Sequence, residues 1–211
     1  MISKRRLLRK SRLYLILDKK TVGRTPLTAV ANKLKYSGVD LIQLRDKISD
    51  KLEILKDALL LTKTLKNSKS LFIINDHVDI AAISCADGVH LGQRDGNVKE
   101  ARSLLGKNKI IGVSCSNLKQ ALMAQRNGAD YIGIGPIYRS PTKHGCEGIG
   151  LKELCKFKNL IHIPYFAIGN INKNNLGSIL SAGVKRVALC RAILRTEKSV
   201  TEVKTFKALL K

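Results

Sequence analysis

Eight short apolar runs, each with at least one β-branched residue, alternate along this chain with longer stretches whose apolar residues recur at helical spacing. The strand candidates are Leu13–Leu17, Asp40–Leu44, Leu71–Ile74, Gly88–Leu91, Ile110–Val113, Tyr131–Gly135, Tyr165–Ile168 and Arg186–Leu189. Helical patterns follow, among them Pro26–Tyr36, Lys51–Leu65, Leu118–Arg126, Asn174–Ala182 and Ser199–Leu210. Pro26 stands where a helix begins, and Gly38, Gly128 and Gly183 stand just past helix ends, as C-cap glycines do. Eight βα units within 211 residues are compact but sufficient for a (β/α)8 barrel. An open, doubly wound sheet is the alternative, and its G-x-G-x-x-G crevice fingerprint is absent after the first strand. The expectation is an α/β, single-domain TIM barrel over residues 13–211, preceded by a basic N-terminal extension, residues 1–12.

Composition narrows the function classes. At 44% apolar residues the chain supports a sizeable core, yet no run approaches the roughly 18 apolar residues of a membrane helix. The opening MISKRRLLRKSR is basic, but the apolar Leu13–Leu17 after it is too short for a signal-peptide core. A cytoplasmic protein without membrane attachment is expected. Five cysteines (Cys85, Cys115, Cys146, Cys155, Cys190) form no CxxC pair and no regular spacing, which suits reduced thiols better than a disulfide framework or zinc site. The net charge of +23 favours anionic partners, phosphorylated metabolites included. Lys and Arg beyond the N-terminal cluster are scattered over helical stretches without aromatic interleaving, so no specific nucleic-acid partner is expected. A homo-oligomer is compatible with the sequence.

In a barrel of this kind, the C-terminal strand ends and the loops after them form one shared mouth where active sites sit. Polar groups follow nearly every strand. Gln43-Leu44-Arg45-Asp46-Lys47 comes after strand two, Asn75-Asp76-His77 after three, and Gly92-Gln93-Arg94-Asp95 after four. Strand five ends at Ser114, GPIYRSPTKHG (residues 135 to 145) follows strand six, Gly169-Asn170 strand seven, and Cys190-Arg191 strand eight. Asp76 and Asp95, from adjacent strand ends, are hard oxygen donors that suit Mg²⁺ with waters and substrate phosphates. Arg45, Lys47 and Lys143 are cations suited to a polyphosphate. The structural alternatives are a helix cap at Asp76 and a turn at Asp95-Gly96. Gly135, Ser140, Thr142, Gly169 and Asn170 offer small side chains and backbone N–H groups where barrels often bind phosphate.

Six segments, QLRDK (43–47), FIINDHVDIA (72–81), ADGVHLGQRD (86–95), IGVSCSN (111–117), GADYIGIGPIY (128–138) with SPTK (140–143), and FAIGNI (166–171), together resemble thiamine-phosphate synthase, in that family's order. The resemblance implies joining of an aminopyrimidine diphosphate to a thiazole phosphate, with release of diphosphate, by a dissociative, Mg²⁺-assisted reaction. It implies that the segment Gln43 to Lys47, with Leu44 and Asp46, holds the pyrimidine diphosphate together with Asn75, Ser114 and Lys143. Asp76 and Asp95 match the family's metal ligands. Ser140, Pro141 and Thr142 match its thiazole-phosphate loop, together with Gly169, Asn170, Cys190 and Arg191. Arg45, Ser114 and Lys143 are the residues expected to act on the reacting groups. His77 reads as a helix-start residue and His90 as a packed strand residue.

Three positions depart from the family pattern. Asn170 stands where a second glycine is common, Cys190-Arg191 where a serine often faces the phosphate, and Ser140-Pro141-Thr142 where Thr-x-Thr is usual. Two rival readings are weaker. A thiazole tautomerase of the same fold carries a histidine just after strand five, where this chain has Ser114-Cys115-Ser116-Asn117. A non-catalytic, basic nucleic-acid-binding protein rests on charge alone.

Overall fold

The computed structural model describes residues 3–139 and 148–210. Eight parallel strands close into a barrel in sequence order: β1 (Leu13–Asp18), β2 (Leu41–Arg45), β3 (Leu71–Asn75), β4 (Gly88–Leu91), β5 (Ile110–Cys115), β6 (Tyr131–Ile134), β7 (Tyr165–Ile168) and β8 (Val187–Leu189). β8 pairs back onto β1, Leu13 opposite Val187, and completes the ring. Helices α1 (Lys4–Lys10), α2 (Lys19–Val22), α3 (Leu27–Leu34), α4 (Lys51–Leu65), α5 (Val78–Ile83), α6 (Val98–Leu105), α7 (Leu118–Arg126), α8 (Gly150–Cys155), α9 (Lys173–Ser181), α10 (Arg191–Leu194) and α11 (Ser199–Leu209) precede, connect and follow the strands. Asp50, Asn97, Asn117 and Asn172 each accept a backbone N–H at the start of α4, α6, α7 and α9, which satisfies donors the helix leaves unpaired.

The α4 and α7 boundaries match the sequence periodicity. Four strands run past the expected end: β1 reaches Asp18, β2 Arg45, β3 Asn75 and β5 Cys115. An apolar run ends where the core ends, whereas barrel pairing continues into the polar mouth. Gly38, Gly128 and Gly183 all take positive φ, 107°, 86° and 85°, as helix-ending glycines should.

Because side chains alternate across a strand, each strand feeds two cores. Leu13, Leu15, Leu17, Ile42, Leu44, Phe72, Ile74, Ile111 and Ile132 face outward into a shell covered by the helices. Tyr14, Ile16, Leu41, Leu71, Ile73, Ile110, Tyr131, Phe166 and Ala188 fill the barrel interior. Leu8 of α1, only 1% exposed, joins this interior cluster. The basic N-terminal segment is thus a short helix lying against the barrel end opposite the mouth, and Ser3 caps it.

Candidate active site

The inward parity that fills the barrel also chooses the residues that reach its mouth. Counting by twos from the interior cluster leads to Asp18 on β1, Gln43 and Arg45 on β2, Asn75 on β3, His90 on β4 and Ser114 on β5. Leu44 falls on the other parity and packs in the outer shell, so a ligand contact there would have to come from its main chain.

Two charged clusters stand at the mouth. In one, Arg45 makes an ion pair with Asp18, whose carboxylate is 2% exposed, and Asp18 also accepts the Thr21 amide at 2.9 Å and hydroxyl at 2.7 Å. In the other, Lys47 makes an ion pair with Asp76. Asp76 takes φ 64°, and its amide donates to the His90 carbonyl at 2.8 Å, so the residue sits just past β3 in a turned-in conformation. Burial raises the Asp76 carboxyl above the ordinary carboxylate range, and the Asp95 carboxyl beside it adds to this against the opposing pull of Lys47. Asp95 is correspondingly held low, first by its hydrogen bond with Asp76. The two carboxyls act as a pair, Asp76 pushed up and Asp95 held down, with Lys47 drawing on both. Asp95 also accepts the Gly92 amide at 3.0 Å, and a Cβ at position 92 would lie 2.3 Å from its Oδ2. Only glycine leaves that carboxylate its place.

A chain of buried hydrogen bonds forms the floor. Gln43 Nε2 donates to the Tyr14 hydroxyl at 2.5 Å, Tyr14 and Tyr131 share a hydrogen bond at 2.8 Å, the Tyr131 hydroxyl meets His90 Nδ1 at 3.0 Å, and His90 Nε2 meets Ser114 Oγ at 2.9 Å. Burial keeps both phenols protonated far above the usual tyrosine range.

On the β7–β8 side a cavity of about 340 Å³ opens, lined by Asp18, Arg45, Pro136, Gly169, Asn170, Cys190, Arg191 and Arg195 among others. Gly169 takes φ 113°, and a Cβ there would lie 2.5 Å from the Pro136 Cα. Asn170 takes φ 49°, which asparagine tolerates better than most residues. The Cys190 thiol donates to Thr21 at 3.6 Å, and burial pushes its pKa up to about 11, so it stays a neutral thiol. Arg191 is exposed at the start of α10.

Most expected site residues therefore meet at one mouth. Asp46 does so differently: its Oδ1 accepts the Ile48 and Ser49 amides at 2.9 and 3.0 Å, which makes it a brace of the β2 loop. His77 is the N-cap residue of α5. Ser140, Pro141, Thr142 and Lys143 lie outside the described residues. Sequence reasoning passed over Asp18, Tyr14, Tyr131 and Arg195. The signal for Asp18 was present, a polar residue directly after an apolar run, as at Asn75. Among the described residues, no cluster of three or more His, Cys, Asp or Glu side chains could hold a metal.

A family model described as thiamine monophosphate synthase matches residues 13–193. Thiamine-phosphate synthase of Clostridium acetobutylicum is 41% identical over 187 residues, covering 89% of each chain. The Halalkalibacterium halodurans thiamine-phosphate synthase is 37% identical over 204 residues, covering 96% of this chain and 97% of its own. A Prochlorococcus marinus thiamine-phosphate synthase is 41% identical over 188 residues but is longer, so the match spans 52% of it. Among solved structures, thiamine phosphate pyrophosphorylase from Pyrococcus furiosus superposes with a TM-score of 0.86 at 30% identity, covering 98% of this chain and 96% of that one.

Proposed function

Because the chain belongs to the thiamine monophosphate synthase family, a family of transferases of thiamine biosynthesis, we propose that it joins an aminopyrimidine diphosphate to a thiazole phosphate and releases diphosphate. The observation that carries this reading is the pairing of two charged clusters at one mouth, Arg45 with Asp18 and Lys47 with Asp76 and Asp95. Cations and paired carboxylates side by side suit a substrate that arrives with a diphosphate and leaves without it.

Asp76 and Asp95 fit a Mg²⁺: they are hard donors, close enough to perturb one another, and one or two carboxylates are what this ion commonly takes from protein. Bound there, the ion would supply positive charge to the departing diphosphate. With Asp76 holding the ion, the Lys47 ammonium would be available to the phosphate oxygens. Arg45, steadied by Asp18, presents a second cation from β2. The carbon–oxygen bond to the diphosphate breaks first, its electron pair leaving with the diphosphate, and the thiazole nitrogen then captures the pyrimidine-methyl cation. Gly169 and Asn170, with Arg191 and Arg195 at the edge of the cavity, supply donors for the thiazole phosphate. No general base is required, so the work is positional and electrostatic.

Purified protein with both substrates and Mg²⁺ should form thiamine phosphate. Asp76→Asn and Asp95→Asn should each lower turnover by roughly 10²-fold, as loss of a preorganised electrostatic group does. Undiminished activity in excess chelator would remove the metal from this reading, and absence of product from the wild-type protein would remove the reading itself.

A further inference from the structure

The floor of the mouth holds more buried polarity than a barrel core needs. Tyr14 and Tyr131 are 1% and 0% exposed, and His90 is 7% exposed. Two strand glycines make room for them. A Cβ at Gly112 would lie 2.1 Å from the Tyr131 ring, and one at Gly133 would press on His90 Cε1 at 3.3 Å. Glycine inside a strand weakens it, and its presence commonly marks a place where another group must come close. Here the groups admitted are the two rings at the middle of the chain from Gln43 to Ser114.

That chain has a direction. The Gln43 amide donates to Tyr14. Tyr14, which accepts there, has Tyr131 as the partner for its own proton. The Tyr131 proton then has His90 Nδ1 as its acceptor, a direction that demands the imidazole proton on Nε2, facing Ser114 Oγ. Ser114 Oγ accepts there, and its own O–H is left to donate elsewhere. We infer that Tyr14, Tyr131 and His90 are positioning residues, a buried relay from Gln43 to Ser114 that fixes the Ser114 hydroxyl as a hydrogen-bond donor toward the bound pyrimidine diphosphate. The inference rests on the proposed function for the substrate, but the tautomer it demands does not.

Two measurements test it. Two-bond nitrogen–proton correlations of the histidine rings, with His90 identified by loss of its signals in His90→Gln, should show His90 protonated on Nε2 in the free enzyme. Protonation on Nδ1 would reverse the chain and overturn the inference, whether or not the enzyme is active. Tyr131→Phe removes one buried oxygen that never reaches the mouth. It should lower kcat/KM for the pyrimidine diphosphate roughly tenfold, the effect of misdirecting one hydrogen bond, and leave KM for the thiazole phosphate within about twofold. In a Ser114→Ala background the same change should cost nothing further, because the relay acts through that hydroxyl. An equal loss in both backgrounds would show a general packing effect, and an unimpaired Tyr131→Phe in an active wild-type enzyme would show that the relay is idle. Either result overturns the inference while leaving the proposed function standing.

Discussion

Asp18 gives its two carboxylate oxygens separate duties: one holds Thr21 at the start of α2, the other holds Arg45. Asp18→Asn can keep the first and must spoil the second, since an amide N–H₂ facing the guanidinium replaces an acceptor by a donor. We expect kcat/KM for the pyrimidine diphosphate to fall roughly tenfold, the order lost with one charge-assisted hydrogen bond, while the melting temperature moves little. Kinetics indistinguishable from wild type would mean that Arg45 finds its own orientation. At this scale the sequence was legible in part. Asn75, Asp76 and Ser114 stand out because polar residues interrupt or close apolar runs. Asp18 closes an apolar run in the same way, but an aspartate before a helix also reads as a cap, and it is one. The relay was hidden for a different reason: a tyrosine or histidine inside a strand looks like core from sequence, and only the closed barrel brings Tyr14 and Tyr131, 117 positions apart, within 2.8 Å.

Among the elements, a repeated stitch holds the end of the barrel away from the mouth. Asp40, directly before β2, accepts the Leu13 amide of β1 at 2.9 Å; Asp87, before β4, accepts the Phe72 amide of β3 at 2.9 Å; Asp130, before β6, accepts the Ile111 amide of β5 at 2.9 Å. Each is neutralised by a cation, Lys207 of α11 on Asp40, Lys4 of α1 on Asp87, and Arg5 of α1 with Arg102 of α6 on Asp130. Before β8 the pattern changes, and Arg186 donates to the Arg9 and Ser11 carbonyls at 2.9 and 3.1 Å. So α1 is fastened by its charges and seated by Leu8. Leu8→Ala should cost about 2–5 kcal/mol, the usual range for a buried leucine, with kcat and both KM values unchanged. A denaturant titration decides it, and a loss below about 1 kcal/mol would show that α1 is a loose appendage. The eight strands were legible from periodicity alone. This helix was not, because two leucines among five cations read as a charge run until something apolar is seen beneath them.

For the whole molecule, 39 cations against 16 anions set two electrostatic effects in opposition. Salt weakens the surface ion pairs, each worth at most about 1 kcal/mol. It also screens the mutual repulsion of a net charge of +23, which acts over the whole surface at low ionic strength, where the screening length is about 30 Å at 0.01 M against about 8 Å at 0.15 M. Repulsion prevails here, because the cations far outnumber the anions that could pair with them. Thermal stability should therefore rise as sodium chloride increases from roughly 0.01 to 0.15 M. A melting temperature that falls over that range would mean that the fastened pairs around α1 and α11 outweigh the net charge.

The same fastening has a consequence in time. Arg5 meets Asp130 across 125 positions, and Arg186 reaches the Arg9 carbonyl across 177. At roughly 5–20 residues per second on a ribosome, α1 waits on the order of ten seconds before these two partners are made. In refolding of the whole chain these long closures are costly too, and we expect α1 to dock after the transition state. Leu8→Ala should accordingly speed unfolding and leave the refolding rate almost untouched, so the seating of this helix governs how long the folded enzyme lasts more than how fast it forms.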